Sequence, residues 1–177
     1  MRLLCADCDR ALAPAPRIHD LQDLKLISFY DYDDVEPLTW AKYHPFGSLV
    51  LKHLAIKAFR PFFRDLSLEQ KTAIVPIDDH ISRFFSHTAV LEKYAAAGRT
   101  TARFGALRAQ SHEKYAGQTL AFRRAHPRRF VCKPFAENAT ILIDDLSTTG
   151  TTLLEASEAI QKSGKSVLFA VTLSKAH

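Results

Sequence analysis

No apolar run in this chain approaches the ~20 residues a helix needs to span a bilayer, which argues against an integral membrane protein. The opening Met1-Arg2-Leu3-Leu4-Cys5-Ala6-Asp7 is too short and too soon acidic for a secretory signal, so a cytoplasmic location is expected. Cysteine is scarce. There are three, two of them spaced Cys5-x-x-Cys8 and the third at Cys132, and an odd, uneven set of this kind does not make a disulfide framework. Two nucleotide-binding signatures are missing as well. No Gly-Lys-Ser/Thr occurs, which excludes a Walker A loop, and the absence of G-x-G-x-x-G excludes a Rossmann fingerprint. Internal repeats and low-complexity tracts are absent. Acid is in short supply in one place: from Arg99 to Lys133, nine basic residues accompany a single acid, Glu113. That stretch carries +8 in a chain whose net charge is +5, so the remainder sums to −3 and the basicity is local.

What is present is enough for a core. At 177 residues, 47% hydrophobic and 10% aromatic, the chain is one domain of catalytic size with a small N-terminal appendage, and global disorder is excluded. Residues 1–22, with the Pro14-Ala15-Pro16 breaker, read as an irregular appendage, and residues 23–177 as the main domain. Lys25 to Asp33 is aromatic and β-prone. Asp34 is placed to cap a helix with Pro37 in its first turn, and a second helix from about Ser48 is expected to end near Pro61. Ala73 to Ile77, Thr100 to Phe104, Phe130 to Cys132 and Thr140 to Ile143 read as strands. A helix is expected from Arg83 through Ala97, closed by Gly98. Residues 105–127 are polar and basic with little apolar periodicity and read as a flexible loop, although Thr119 to Ala125 has helical character. Thr152 to Lys162 is a helix with Gly164 after its end, and Ser166 to Leu173 has the unbroken apolar character of a parallel strand covered on both faces.

The most informative stretch is Asp144-Asp145-Leu146-Ser147-Thr148-Thr149-Gly150-Thr151, between the apolar Ile141-Leu142-Ile143 and the helical pattern from Thr152. Two carboxylates at a strand end, then a hydroxyl-rich turn opening a helix, suit a sugar phosphate. The N–H groups of the turn and the positive end of the helix dipole converge on a dianion, while Gly150 permits close approach or a positive φ. The two aspartates are then available to accept hydrogen bonds from the vicinal hydroxyls of a ribose. The plainer alternative is a loop whose Ser or Thr caps a helix, but a cap needs one side-chain acceptor, not two carboxylates and, with Thr152, five hydroxyls.

Residues Ile141 to Thr152 resemble the PRPP-binding signature of type I phosphoribosyltransferases, two acids and then Thr-Thr-Gly-Thr-Thr. Within that superfamily the whole chain resembles the ComF (ComFC-like) group linked to natural competence. Collinear pieces support this: Cys5-Ala-Asp-Cys8, Phe29-Tyr30-Asp31-Tyr32, Val75-Pro76-Ile77, Arg83-Phe84-Phe85-Ser86-His87, and Leu107-Arg108, Arg123 and Phe130 ahead of the loop. The resemblance implies a parallel sheet flanked by helices, with a small irregular N-terminal segment. It also implies transfer of ribose 5-phosphate from PRPP to an undetermined acceptor with Mg²⁺, which Asp144 and Asp145 hold indirectly, through water. The 5-phosphate would lie on Ser147, Thr148, Thr149, Gly150, Thr151 and Thr152, with Arg108 and Arg123 as further phosphate ligands. Asp78-Asp79-His80 stands where the family's pyrophosphate-contacting turn is expected, but acids there read better as helix caps. The mobile loop has Tyr115 and His126 near the places of the usual Gln and Asn.

Two functions follow from the resemblance. One is a competence factor that keeps the PRPP cradle and handles single-stranded DNA, with Arg99, Arg103, Arg123, Arg124, Arg128, Arg129 and Tyr115 on the nucleic acid. Its partners would be competence or inner-membrane transport proteins, with the chain docked peripherally at that membrane. The other is a housekeeping phosphoribosyltransferase whose basic stretch is a hood serving the diphosphate of PRPP. His80, His87, His112 and His126 lack metal spacing and are not assigned to catalysis. Cys5-x-x-Cys8 resembles half of a zinc knuckle. ComF relatives often carry two such pairs, so the chain looks truncated or degenerate there. Zn²⁺ with His19 and Asp7 or Asp9 as further ligands is the remaining option.

Overall fold

A short helix, α1 (Ala6–Ala11), begins the folded chain in the computed structural model, which describes residues 4–77, 85–111 and 119–176, without the side chains of Leu120, Arg123 and Arg124. Strands β1 (Arg17–Leu21) and β2 (Leu24–Asp31) form a hairpin, followed by helix α2 (Tyr32–Thr39), a 3₁₀ turn (Trp40–Tyr43) and the long helix α3 (Gly47–Asp65). Then come β3 (Thr72–Pro76), α4 (His87–Ala95), β4 (Thr100–Ala102), β5 (Leu107–Ala109), α5 (Leu120–Ala125), β6 (Phe130–Cys132), β7 (Ala139–Ser147), α6 (Thr151–Lys162) and β8 (Ser166–Lys175). Asp78, Asp79, His80, Arg83, Phe84, His112 and Tyr115 lie outside the described residues.

Six strands make one sheet in the order β1-β2-β8-β7-β3-β4, parallel throughout except for the antiparallel β1–β2 edge; β5 and β6 pair antiparallel as a separate ribbon. The fold is therefore mixed α/β with a mostly parallel central sheet flanked by helices. Alternation along β7 divides the core. Ile141 and Ile143 point into a cluster with Phe29, Leu51, Leu54, Phe59, Phe63 and Leu91 under α3 and α4. Leu142 points the other way, into a cluster with Leu24, Leu26, Val75, Leu153, Ala156 and Ile160 under α6.

Four expectations are corrected. Residues 17–21 are not irregular: Arg17 to Leu21 register against Ser28 to Leu24 as an edge strand. Helix α1 is also tied down, since Asp9 Oδ1 accepts from His53 Nε2 at 2.7 Å and from Lys57 Nζ at 2.9 Å on α3. Helix α2 starts at Tyr32, ahead of Asp34; Asp31 stands at its N-cap without a side-chain capping bond, its carboxylate being held by Arg17. Helix α3 passes through Pro61 and ends at Asp65. Losing one i→i−4 bond at Pro61 is offset there by an edge-on ring cluster, with Phe29–Phe59, Phe29–Phe62 and Phe62–Phe63 centroids 5.2, 5.2 and 5.3 Å apart. Finally, the stretch read as a flexible loop contains β5, pinned to β6 from Leu107↔Cys132 to Ala109↔Phe130, while α5 falls where Thr119 to Ala125 has helical character.

Candidate functional site

The carboxyl ends of β3, β7 and β8 lie side by side, and β7 runs into α6 through Thr148, Thr149 and Gly150. Gly150 holds the helix N-cap position at φ 75°, ψ −3°, in the left-handed region. A Cβ there would fall 2.7 and 2.8 Å from the two methyls of Leu21, so the edge hairpin closes over this turn and leaves space for glycine. The turn and the first residues of α6 line an open depression of about 40 Å³ together with Asp144 and Leu146. The depression is polar. Thr149 Oγ1 lies 2.9 Å from Thr151 Oγ1 at its rim. The N–H groups of a first helical turn have no intrahelical acceptor, so the helix offers this hollow donors as well as its positive end.

The two adjacent aspartates do not share a face. Continuing the alternation of β7, Asp144 follows Leu142 and lines the depression, with its Oδ1 accepting the Asp145 N–H at 2.8 Å. Asp145 follows Ile141 and Ile143 toward α3 and α4, where its Oδ2 accepts from Lys42 Nζ at 2.7 Å. Burial alone would raise the Asp145 carboxyl. The Lys42 charge and hydrogen bond, with His87 nearby, outweigh it and hold the group below the usual carboxylate range. For Lys42, burial works to discharge the ammonium, but Asp145, then Tyr43 and Asp144, keep it charged well above the ordinary lysine range. His87 Nε2 donates to the Lys42 carbonyl oxygen at 3.1 Å, and the Tyr43 ring lies edge-on to His87 at 6.2 Å. Sequence reasoning missed Lys42. It sits between two aromatics in a short turn, 103 positions from its partner, and no spacing rule joins them.

The basic stretch is less free than its sequence implies. Arg103 makes a two-pronged pair with Glu137, 2.7 and 2.5 Å, and the Glu137 carboxyl is held below its ordinary value by that hydrogen bond despite burial. Arg99 Nη1 donates to the Leu68 carbonyl oxygen at 3.4 Å, and the Arg108 guanidinium stands 5.7 Å from the Phe104 ring centroid. The Arg128 N–H donates to Glu155 on α6 at 2.7 Å. Arg129 is exposed, with φ 51°. Arg123 and Arg124 fall on α5, their side chains outside the described set, and His126 stacks on Phe122 at 4.2 Å.

At the N-terminus the zinc option finds its ligands dispersed. Cys5 Sγ accepts the Cys8 N–H at 3.3 Å, His19 Nε2 lies 2.8 Å from Ser28 Oγ, Asp7 pairs with Arg10, and Asp9 is held by α3. Among the described residues no group of three His, Cys, Asp or Glu side chains is assembled. Mg²⁺ asks for less, because it keeps several waters and is held largely by substrate phosphates. One carboxylate at the rim of a phosphate-sized hollow, Asp144, fits that requirement.

Among solved structures the chain is similar to orotate phosphoribosyltransferase from Aeropyrum pernix, at 13% identity over 94% of this chain and 80% of that one, with a TM-score of 0.40. It is also similar to Mycobacterium tuberculosis H37Rv orotate phosphoribosyltransferase in complex with inorganic phosphate, at 13% identity over 96% and 92% of the two chains and a TM-score of 0.38. The form in complex with Fe(III) dicitrate gives 15% identity, 96% and 93% coverage and a TM-score of 0.38. No protein-family model matches the chain, and no curated protein matches it. Likeness at this level carries no argument about substrate; the functional reading rests on the site's own residues. Among the described residues no helix is long and apolar enough to cross a membrane.

Proposed function

We propose that this protein binds PRPP and belongs to the phosphoribosyltransferase-like proteins, as a cytoplasmic member of the ComF group. The observation that carries the reading is the polar depression at the end of β7, where Asp144, the turn 147–150 and the open end of α6 meet. A hollow of this size takes the 5-phosphate and leaves the sugar above it, beside Asp144. Transfer from PRPP passes through a ribosyl cation-like state as pyrophosphate leaves C1, so the protein's work is to position the sugar and exclude water. Mg²⁺, when bound, would neutralise charge on the departing pyrophosphate.

Mg·PRPP at 100 times its Kd should stabilise the chain by about 2.7 kcal/mol, roughly 5–10 °C in melting temperature. Asp144→Asn should lose most of that shift while inorganic phosphate still binds. A shift that Asp144→Asn leaves intact removes the sugar from this side of β7. Pyrophosphate release in a screen of nucleobases and amines separates an enzyme from a binding protein.

Handling of single-stranded DNA in natural transformation is the finer part of the reading, and it rests on the resemblance and the basic stretch. Affinity for a single strand should fall steeply with salt and weaken when Arg123, Arg124, Arg128 and Arg129 are neutralised together. Binding that ignores salt, or ignores those four changes, ends the DNA reading. The commitment of Arg103 to Glu137 favours the alternative, a hood that serves PRPP alone in a housekeeping transferase.

A further inference from the structure

The 3₁₀ turn Trp40–Tyr43 is held from two sides and braced from within. Helix α3 closes so tightly upon it that a Cβ at Gly47 would run into the Ala41 carbonyl oxygen. His87, at the start of α4, takes the Lys42 carbonyl, and the Tyr43 ring lies 5.4 Å under the Lys42 ammonium. A lysine fixed in this way does not sweep solvent. Its side chain is 17% exposed and that of Asp145 is 11% exposed, and their 2.7 Å contact joins the α3–α4 side of the sheet to the carboxyl end of β7.

We propose that Lys42 is a positioning residue of the sugar-phosphate site: it fixes the Asp145 carboxylate, and through it the end of β7 that presents Asp144 and the turn to the ligand. This rests on the reading of the depression as a PRPP site. The backbone link is short, since the Asp145 N–H is the donor that orients the Asp144 carboxylate. A lost counter-charge would drive the buried Asp145 side chain to seek water, and any shift of residue 145 is felt at Asp144. The 5-phosphate hollow is built from the far side of β7 and from α6, which Lys42 does not touch. Sugar recognition and phosphate recognition therefore separate.

The test measures affinity for Mg·PRPP and for inorganic phosphate on the full chain, in the wild type, Lys42→Met, Lys42→Arg and Lys42→Met/Asp145→Asn. Wild-type binding of Mg·PRPP comes first; if it fails, the PRPP reading itself falls, before any variant is made. Given that binding, Lys42→Met should weaken Mg·PRPP by about tenfold, the scale of one charge-assisted contact, with inorganic phosphate unchanged. Lys42→Arg should recover most of the loss, because the guanidinium also pairs with a carboxylate. Should Lys42→Met not fold, the double variant carries the test, since it buries no unpaired charge, and the same selective loss is expected. Wild-type affinity for Mg·PRPP in either variant overturns the proposal. Equal loss of phosphate and Mg·PRPP overturns it too, because that is collapse of the fold.

Discussion

Replacing Glu92 by glutamine should stabilise the protein above neutral pH by about 3 kcal/mol and do almost nothing in acid. Glu92 lies on the inner face of α4, 3% exposed, and its Oε1 has no hydrogen-bond partner among the described residues. Burial pushes its carboxyl up from 4.5 to about 7; the Arg103 backbone N–H and positive charge pull it down but fall short, the guanidinium being engaged by Glu137. A carboxyl whose folded value lies above its unfolded one holds its proton more tightly in the native state. The folded protein therefore loses stability as pH rises from 4.5 through 7, and the full penalty stands above 7. Glutamine has no charge to desolvate, so the difference between wild type and Glu92→Gln should open across that window in urea unfolding. Parallel curves for the two proteins would show that Glu92 reaches water or a partner.

Gly150→Val should cost roughly 2–5 kcal/mol, combining the strain of a side chain at positive φ with the overpacking of Leu21. At φ 75° the turn excludes a β-branched residue, and the first atom added meets the Leu21 methyls. Leu21→Ala in the same chain should return the overpacking part and leave the φ part. Ligand binding should not return with it, because the backbone that forms the hollow must leave its conformation to admit valine. Full recovery of Mg·PRPP binding in the double variant would mean that Gly150 serves packing against β1 and not the phosphate.

Much of the architecture could be read in advance because it is local. The apolar run 140–143, the acids and hydroxyls after it, and the periodicity of 152–162 together dictate strand, turn and helix; the strand runs on through both acids to Ser147, and the helix starts one residue early, at Thr151. Boundaries failed where packing overrode a local rule, as at Pro61, which the phenylalanine cluster carries through the helix. The edge strand β1 failed for a related reason: Arg17–Leu21 is mostly exposed, with Ile18 facing solvent and only His19 and Leu21 half-buried, and its pairing with β2 leaves no clear apolar alternation.

Charge was the least legible property. The window from Arg99 to Lys133 omits Glu137 and Glu155, which fold back onto Arg103 and the Arg128 backbone, so a sum along the chain overstated what is available to a polyanion.

By itself the sequence determined the chemistry of the loop: two acids, five hydroxyls and one glycine at the mouth of a helix. Tertiary structure decided what the two acids do. A strand turns neighbouring side chains to opposite faces, so Asp144 went to the hollow and Asp145 to a lysine 103 positions earlier. Adjacency in sequence fixes that alternation, but the partner on each face is set by which helix the sheet happens to pack against.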